Sequence, residues 1–185
     1  MASSLSSNRP SFSTNRLVAE PVVKSHASSM HGVLNDSQIY EFLDESPPDL
    51  LDLERRYEFL SGGKSPDGSE HWLTWIVFLK EQQHNPIGYV QATIREPESC
   101  YLGYVFASAY WGKGYASECL RGLLDTITQV YVFSEVKAEM DSKNLRSQRL
   151  ISSLGFKQVG IINGGSIIRG EINDELIFSL EATKP

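Results

Sequence analysis

The sequence predicts an α+β fold whose central sheet is mixed, mostly antiparallel and flanked by helices, and three observations carry that reading. Runs rich in β-branched and aromatic residues at 71–79, 86–94 and 100–107 are joined by connections too short for a parallel crossover, so they pair as an antiparallel meander. Tyr115, Cys119, Leu120, Leu123, Leu124, Ile127 and Val130 recur at three- and four-residue steps, the spacing of an amphipathic helix. Alternation over 175–181 then marks a final strand that closes a hairpin.

The remaining elements follow in chain order. Residues 1–13 hold six serines and no apolar stretch of the kind a secretory signal needs, and they are expected to form a flexible tail ahead of one domain spanning 14–185. Residues 14–19 suit a short first strand. Between Ser25 and Leu60 the pattern becomes helical, is broken at Pro47-Pro48, and restarts behind Asp49 as a cap, with Gly62-Gly63 as the stop. Turn residues Gln83-His84-Asn85-Pro86 and Glu96-Pro97-Glu98 separate the meander strands. After the long helix come a strand at 136–140, a short helix at 144–154 ended by Gly155, and a strand at 156–162. Asn163-Gly164-Gly165 is read as the turn into the last strand.

Composition narrows the function classes. The chain of 185 residues has 17 basic and 23 acidic side chains, a net charge of −6, which disfavours a nucleic-acid surface and leans toward cationic substrates. Its 2 cysteines, Cys100 and Cys119, have neither a CxxC partner nor a neighbouring histidine, so neither a disulfide framework nor a metal site is expected. The longest apolar run, Trp75 to Leu79, is far short of the ~20 residues of a membrane helix, and a cytoplasmic protein without membrane partners is expected.

The informative stretch runs from Tyr104 to Ser117. It sets Gly112 and Gly114 where a strand meets a helix, and unpaired helix N–H groups there favour an anion. A tight turn alone would also use two glycines. The letters do not complete other phosphate loops: Gly63-Lys64-Ser65 would end a P-loop, but position 58 is Glu. A dinucleotide fingerprint would need Gly or Ala where Ser117 stands, although Glu135 sits near the place of a ribose-binding acid.

Trp111-Gly112-Lys113-Gly114-Tyr115-Ala116-Ser117-Glu118, followed by Asn144-Leu145-Arg146-Ser147 and Leu154-Gly155-Phe156, resembles the GNAT acetyltransferase superfamily. With Thr14-Asn15-Arg16-Leu17, Ile87-Gly88 and Leu102-Gly103-Tyr104, it is most similar to the subgroup that acetylates ribosomal-protein N-termini, over residues 14 to 181. The resemblance implies acetyl-CoA as cosubstrate and no metal. It implies that the amides of Gly112, Lys113, Gly114, Tyr115, Ala116 and Ser117 bind the diphosphate, and that Tyr104-Val105-Phe106 splays from its neighbouring strand to pair with the pantetheine arm. It further implies that Asn144 bonds the pantetheine and that Ser147 lies near the sulfur as proton donor. Trp111 departs from the polar residue usual at its position.

Acetyl transfer from a thioester to an amine needs a neutral amine, support for a developing oxyanion, and a proton for the leaving thiolate. The subgroup's usual carboxylate position holds Tyr101, and no replacement stands out among Glu70, His71, Glu96, Glu98 and Glu139. At pH 7, freeing a lysine amine of pKa ~10.4 costs about 4.6 kcal/mol and an α-amine near 8 about 1.4, which favours an α-amine acceptor. Acceptor specificity is expected from residues 25–60 and 163–174, where His26, His31, Asp44, Glu45, Asp49 and Asp52 form a solvated face or attract a cation. The leading expectation is an N-acetyltransferase, monomeric or homodimeric, acting on a protein N-terminus or a small amine. The alternative is a catalytically silent GNAT-fold module that binds acyl-CoA.

Overall fold

A computed structural model describes residues 9–182. Eight strands form one sheet: β1 (Phe12–Ser13), β2 (Leu17–Pro21), β3 (His71–Leu79), β4 (Gln82–Arg95), β5 (Ser99–Phe106), β6 (Glu135–Asp141), β7 (Lys157–Ile168) and β8 (Glu171–Glu181). Their order across the sheet is β1-β2-β3-β4-β5-β6-β8-β7. Every neighbouring pair is antiparallel except β5 and β6. That parallel pair is joined by α3 (Tyr115–Thr128), the crossover a parallel connection requires.

Two apolar layers cover the sheet. On one face α3 and α4 (Leu145–Ser153) pack on Val90, Ala92, Leu102, Phe106, Ala138 and Phe178. On the other, α1 (Ala27–Leu34) and α2 (Leu50–Leu60) pack on Ile76 and Phe78, with Tyr89 and Val105 at the margin. Asp49 caps α2 by accepting from the Asp52 amide at 2.8 Å, as its position ahead of the apolar run predicts. The segment Ser37–Phe42 is a 3₁₀ helix lying between the two.

Three expectations from sequence are corrected. The tail does not extend to Ser13: Phe12 is buried, Phe12–Ser13 pairs with β2, and the Trp75 indole donates to the Pro10 carbonyl at 2.9 Å. The rest of that expectation, residues 1–8, lies outside the described residues. Residues 83–86 are not the turn between β3 and β4, because Leu79 pairs with Gln82 and Phe78 with Pro86, leaving 83–85 as a bulge within the ladder. Nor does Asn163-Gly164-Gly165 reverse the chain. Ile162 opposes Glu175 and Ser166 opposes Asn173, so the three residues bulge against Asp174, whose carboxylate accepts from the Gly164 amide at 3.0 Å. The reversal comes at Arg169-Gly170, both at positive φ.

Candidate active site

The opening in the sheet is written in its register. β5 and β6 pair only at Ser99↔Glu135, Cys100↔Val136 and Tyr101↔Lys137. Beyond Tyr101 the two strands diverge, so among the described residues one edge of Leu102 to Phe106 has no strand partner, while the other edge stays paired with β4. A cleft of about 620 Å³ fills the gap and continues to the start of α3 and to the 3₁₀ segment.

At the α3 end of the cleft, Gly112 and Gly114 have φ of 72° and 79°, and Gly114 is the helix N-cap. Glu118 is the first residue of the helix whose amide bonds back, to the Gly114 carbonyl at 3.0 Å; among the described residues the amides of 112–117 have no partner. Apart from Gly112 itself and its two chain neighbours, no atom of the described residues lies within 4 Å of where a Gly112 side chain would begin. Unpaired amides, the positive end of a fourteen-residue helix and open space beside the backbone fit a diphosphate. Gly112, Gly114, Tyr115, Ala116 and Ser117 line the cleft, whereas the Lys113 ammonium is exposed, 5.6 Å above the Tyr110 ring.

Side chains outside the loop hold its shape. The Trp111 indole donates to the Phe106 carbonyl at 2.7 Å, fastening the turn to the end of β5, and the Arg146 guanidinium lies 3.7 Å over the indole ring. This is what the tryptophan does in place of a polar residue. Glu118 accepts from Thr14 Oγ1 at 2.5 Å and from the Arg16 amide at 2.7 Å, and pairs with Arg16 Nε at 2.6 Å. Burial alone would raise the Glu118 carboxyl, but these bonds outweigh it and hold the group below its ordinary range. Arg16 also donates to the Lys113 carbonyl at 3.1 Å and stacks 4.4 Å from the Tyr115 ring, so residues 14–16 brace the loop.

Residues alternate between the two faces of the splayed strands. Leu102, Tyr104 and Phe106 turn toward α3 and α4, while Val105 turns toward α1 and α2. Tyr104 and Ser147, the latter in the first turn of α4, share a hydrogen bond of 2.5 Å between hydroxyls. Burial pushes the Tyr104 phenol up to about 12, against the lowering effect of that bond. Asn144 caps α4, its side-chain oxygen accepting from the Ser147 amide at 3.0 Å, so it positions Ser147 as well as lining the cleft.

Three carboxylates stand on the opposite face. Asp141 and Glu175 are direct partners across β6 and β8, and Glu139 shares their face two residues away. All three line the cleft. Asp141 is occupied, accepting from the Lys143 amide at 2.7 Å and the Ser166 hydroxyl at 3.0 Å. Glu139 is exposed. Glu175 is partly buried and its carboxylate, among the described residues, has no hydrogen bond or ion pair; burial first, and then the charges of Glu139 and Asp141, raise its carboxyl above the ordinary range. Tyr101 sits at the vertex where the strands part, with Lys137 Nζ 5.8 Å from its ring, and does not line the cleft.

On the face of α1 and α2, the 3₁₀ segment and the hairpin tip border the cleft. Asp36 accepts from the Ser108 amide at 2.7 Å, and the Arg169 amide donates to Asp44 at 3.2 Å. Of the polar residues proposed for this side, only Glu45 reaches the cleft; Asp49 is a helix cap, Asp52 pairs with Arg55, and His26 accepts from the Val23 amide at 3.2 Å. Among the described residues no group of His, Cys, Asp and Glu is arranged to hold a metal, and no helix is long and apolar enough to cross a membrane.

Comparison with known proteins places these features in context. The model of the acetyltransferase (GNAT) domain matches residues 16–157. An uncharacterized N-acetyltransferase, p20, from Bacillus licheniformis is 30% identical over 167 residues, 90% of this chain and 93% of its own. The ribosomal-protein-S5-alanine acetyltransferase structure from Vibrio fischeri superposes with a TM-score of 0.80 at 18% identity, over 94% of this chain and 97% of that one. The spermidine N-acetyltransferase from Vibrio cholerae, solved with CoA and spermine, gives 0.76 at 20% identity, over 91% and 97%. At those identities the two structures speak to fold alone.

Proposed function

The chain belongs to the GNAT acetyltransferase family, and from that premise we propose that it is an acetyl-CoA-dependent N-acetyltransferase whose acceptor is an α-amine entering from the face of α1 and α2. One observation carries the reading. The splayed gap joins an amide cradle and a hydroxyl pair on one face to an unpaired, partly buried carboxylate on the other.

Acetyl-CoA supplies an acyl carbon activated as a thioester. The amides of Gly112 to Ser117 would hold its diphosphate, and the open edge at Tyr104-Val105-Phe106 would pair with the pantetheine amides and face the acyl oxygen. Glu45, Glu139 and Glu175 draw a cationic amine into the gap. Glu175 removes one proton, and its raised proton affinity makes it a stronger base than an ordinary carboxylate. The amine nitrogen then bonds to the acyl carbon as the carbon–sulfur bond breaks, and its second proton passes to solvent. The Tyr104–Ser147 pair, kept protonated at neutral pH, gives the departing sulfur its proton and is replenished from solvent.

The acceptor class follows from magnitudes. A partly exposed carboxylate suits an α-amine, whose deprotonation at pH 7 costs about 1.4 kcal/mol, better than a lysine or polyamine nitrogen at about 4.6. The S5-alanine and spermidine acetyltransferases that share this fold show only that the fold can serve either a protein N-terminus or a small amine. Thiol release from acetyl-CoA with a peptide, a lysine derivative blocked at its α-amine, and spermidine tests the reading. The peptide is expected to react fastest. Saturable CoA binding without turnover of any amine would instead identify a silent binding module.

A further inference from the structure

Beside the acceptor face of the cleft lies a second space of about 40 Å³, bounded by α1, α2, the 3₁₀ segment and strands β3 to β5. Ile39, Leu43, Tyr89, Gln91 and Val105 line both spaces, so the smaller one adjoins the larger. Its inner wall is apolar, with Leu34 and Leu53 beside Tyr57. Tyr57 is only 3% exposed, and its buried hydroxyl has no hydrogen-bond partner among the described residues. Two nearby polar groups are satisfied: the Tyr40 hydroxyl donates to the Leu34 carbonyl at 2.9 Å, and Gln91 Nε2 donates to Thr74 Oγ1 at 3.1 Å.

An orphaned buried hydroxyl is a net cost to folding, and one that lines a cavity has room for a partner. The volume exceeds the ~10–15 Å³ that one water occupies and holds roughly three non-hydrogen atoms. No charged side chain lies deep in the space. The Glu45–Arg56 pair, 3.9 Å apart, is exposed at its rim. An ammonium would find no buried counter-charge there and is excluded by desolvation.

Building on the acceptor assignment above, we infer that this space receives the side arm of the acceptor amine and that Tyr57 is its specificity-determining residue. The arm is short, uncharged and carries one hydroxyl or carbonyl oxygen, which pairs with the Tyr57 hydroxyl. A purely apolar arm of the same size fits the walls but leaves that hydroxyl unpaired.

Peptides identical except for Thr, Val or Lys at the first position test this, because Thr and Val differ by one oxygen at nearly equal volume. In the wild-type protein kcat/KM is expected to be about tenfold higher for Thr than for Val, and lowest for Lys. Tyr57→Phe is expected to bring the Thr-to-Val ratio to about one, while CoA affinity is unchanged and the thermal midpoint is equal or higher. A ratio that is the same in both proteins, or an equal fall for every peptide, overturns the inference. Binding of the same peptides to the CoA complex reads the ratio independently of chemistry. Absence of turnover therefore counts against the transferase reading, whereas a Tyr57-independent binding ratio counts against the pocket.

Discussion

Replacing Glu175 with Gln removes one negative charge while keeping size and shape, and it separates two effects of the same carboxylate. In the structure the group is partly buried, unpaired, and faces Glu139 and Asp141. As the base it contributes the lower end of the 10²–10⁴-fold range for general catalysis, because a partly exposed position lets water substitute, so kcat at pH 7 is expected to fall about 10²-fold with a small change in CoA affinity. The pH dependence carries a sign. The folded environment raises the carboxyl, so the acid limb of the wild-type profile lies above the ~4.3 of an ordinary glutamate, and in Glu175→Gln the limb due to this group disappears. Stability moves the other way. A carboxyl raised on folding destabilises increasingly as pH rises from its unfolded value to the raised one, fully above the raised value, and not at all well below the unfolded value. The variant is thus expected to be more stable than wild type near pH 8, with the difference vanishing toward about pH 4. Thiol release with an α-amine peptide across pH, together with melting curves at both ends, measures all three. An unchanged kcat and an unchanged acid limb would refute Glu175 as the base, whatever the melting curves do.

Tyr104→Phe and Ser147→Ala each remove half of the hydroxyl pair and are expected to lower kcat more than they raise KM, with the double variant no worse than about the poorer single one because the pair acts as a unit. Steady-state kinetics at saturating acetyl-CoA decides this, and a rise in KM alone would make the pair a binding feature. Gly114→Ala forces an L side chain into φ of 79° at the helix N-cap and sets a methyl 3.4 Å from the Arg16 guanidinium, so about 1–2 kcal/mol of stability and several-fold CoA affinity should be lost in denaturation and calorimetry. Gly88→Ala would put its Cβ 2.1 Å from the Val105 carbonyl, a clash with backbone that cannot be relieved by a side-chain rotation. It is expected to cost about 3 kcal/mol in denaturant titration and to disturb β5 where it lines the cleft.

The sequence makes most of the sheet legible because its signals are local. The 71–79 run and the helix starting at Tyr115 coincide with β3 and α3, and Gly112 and Gly114 take the positive φ their junction suggests. Misreadings arise where a local signal had two outcomes. Asn163-Gly164-Gly165 has turn composition, yet Glu175 and Asn173 on β8 continue the ladder past it, so the same residues form a bulge. Glu175 escapes notice for a different reason. Its proposed role depends on facing Asp141 across a register set 34 residues away in the chain, which no motif encodes. The Tyr104 side chain is similar, since its neighbour Ser147 lies on α4 and only the strand's backbone is suggested by resemblance. Tyr57 is visible as one position of a helical apolar stripe, and only packing distinguishes an orphaned hydroxyl from a satisfied one.

The central claim is that the gap between β5 and β6 and the amides at the start of α3 form one acyl-CoA site. Titrating the ¹⁵N-labelled protein with acetyl-CoA and following backbone amides tests it most directly. Saturable shifts are expected at Gly112 to Ser117 and along Gly103 to Phe106, with a single common dissociation constant. Saturation that leaves those amides unmoved, or no saturation at all, would contradict it.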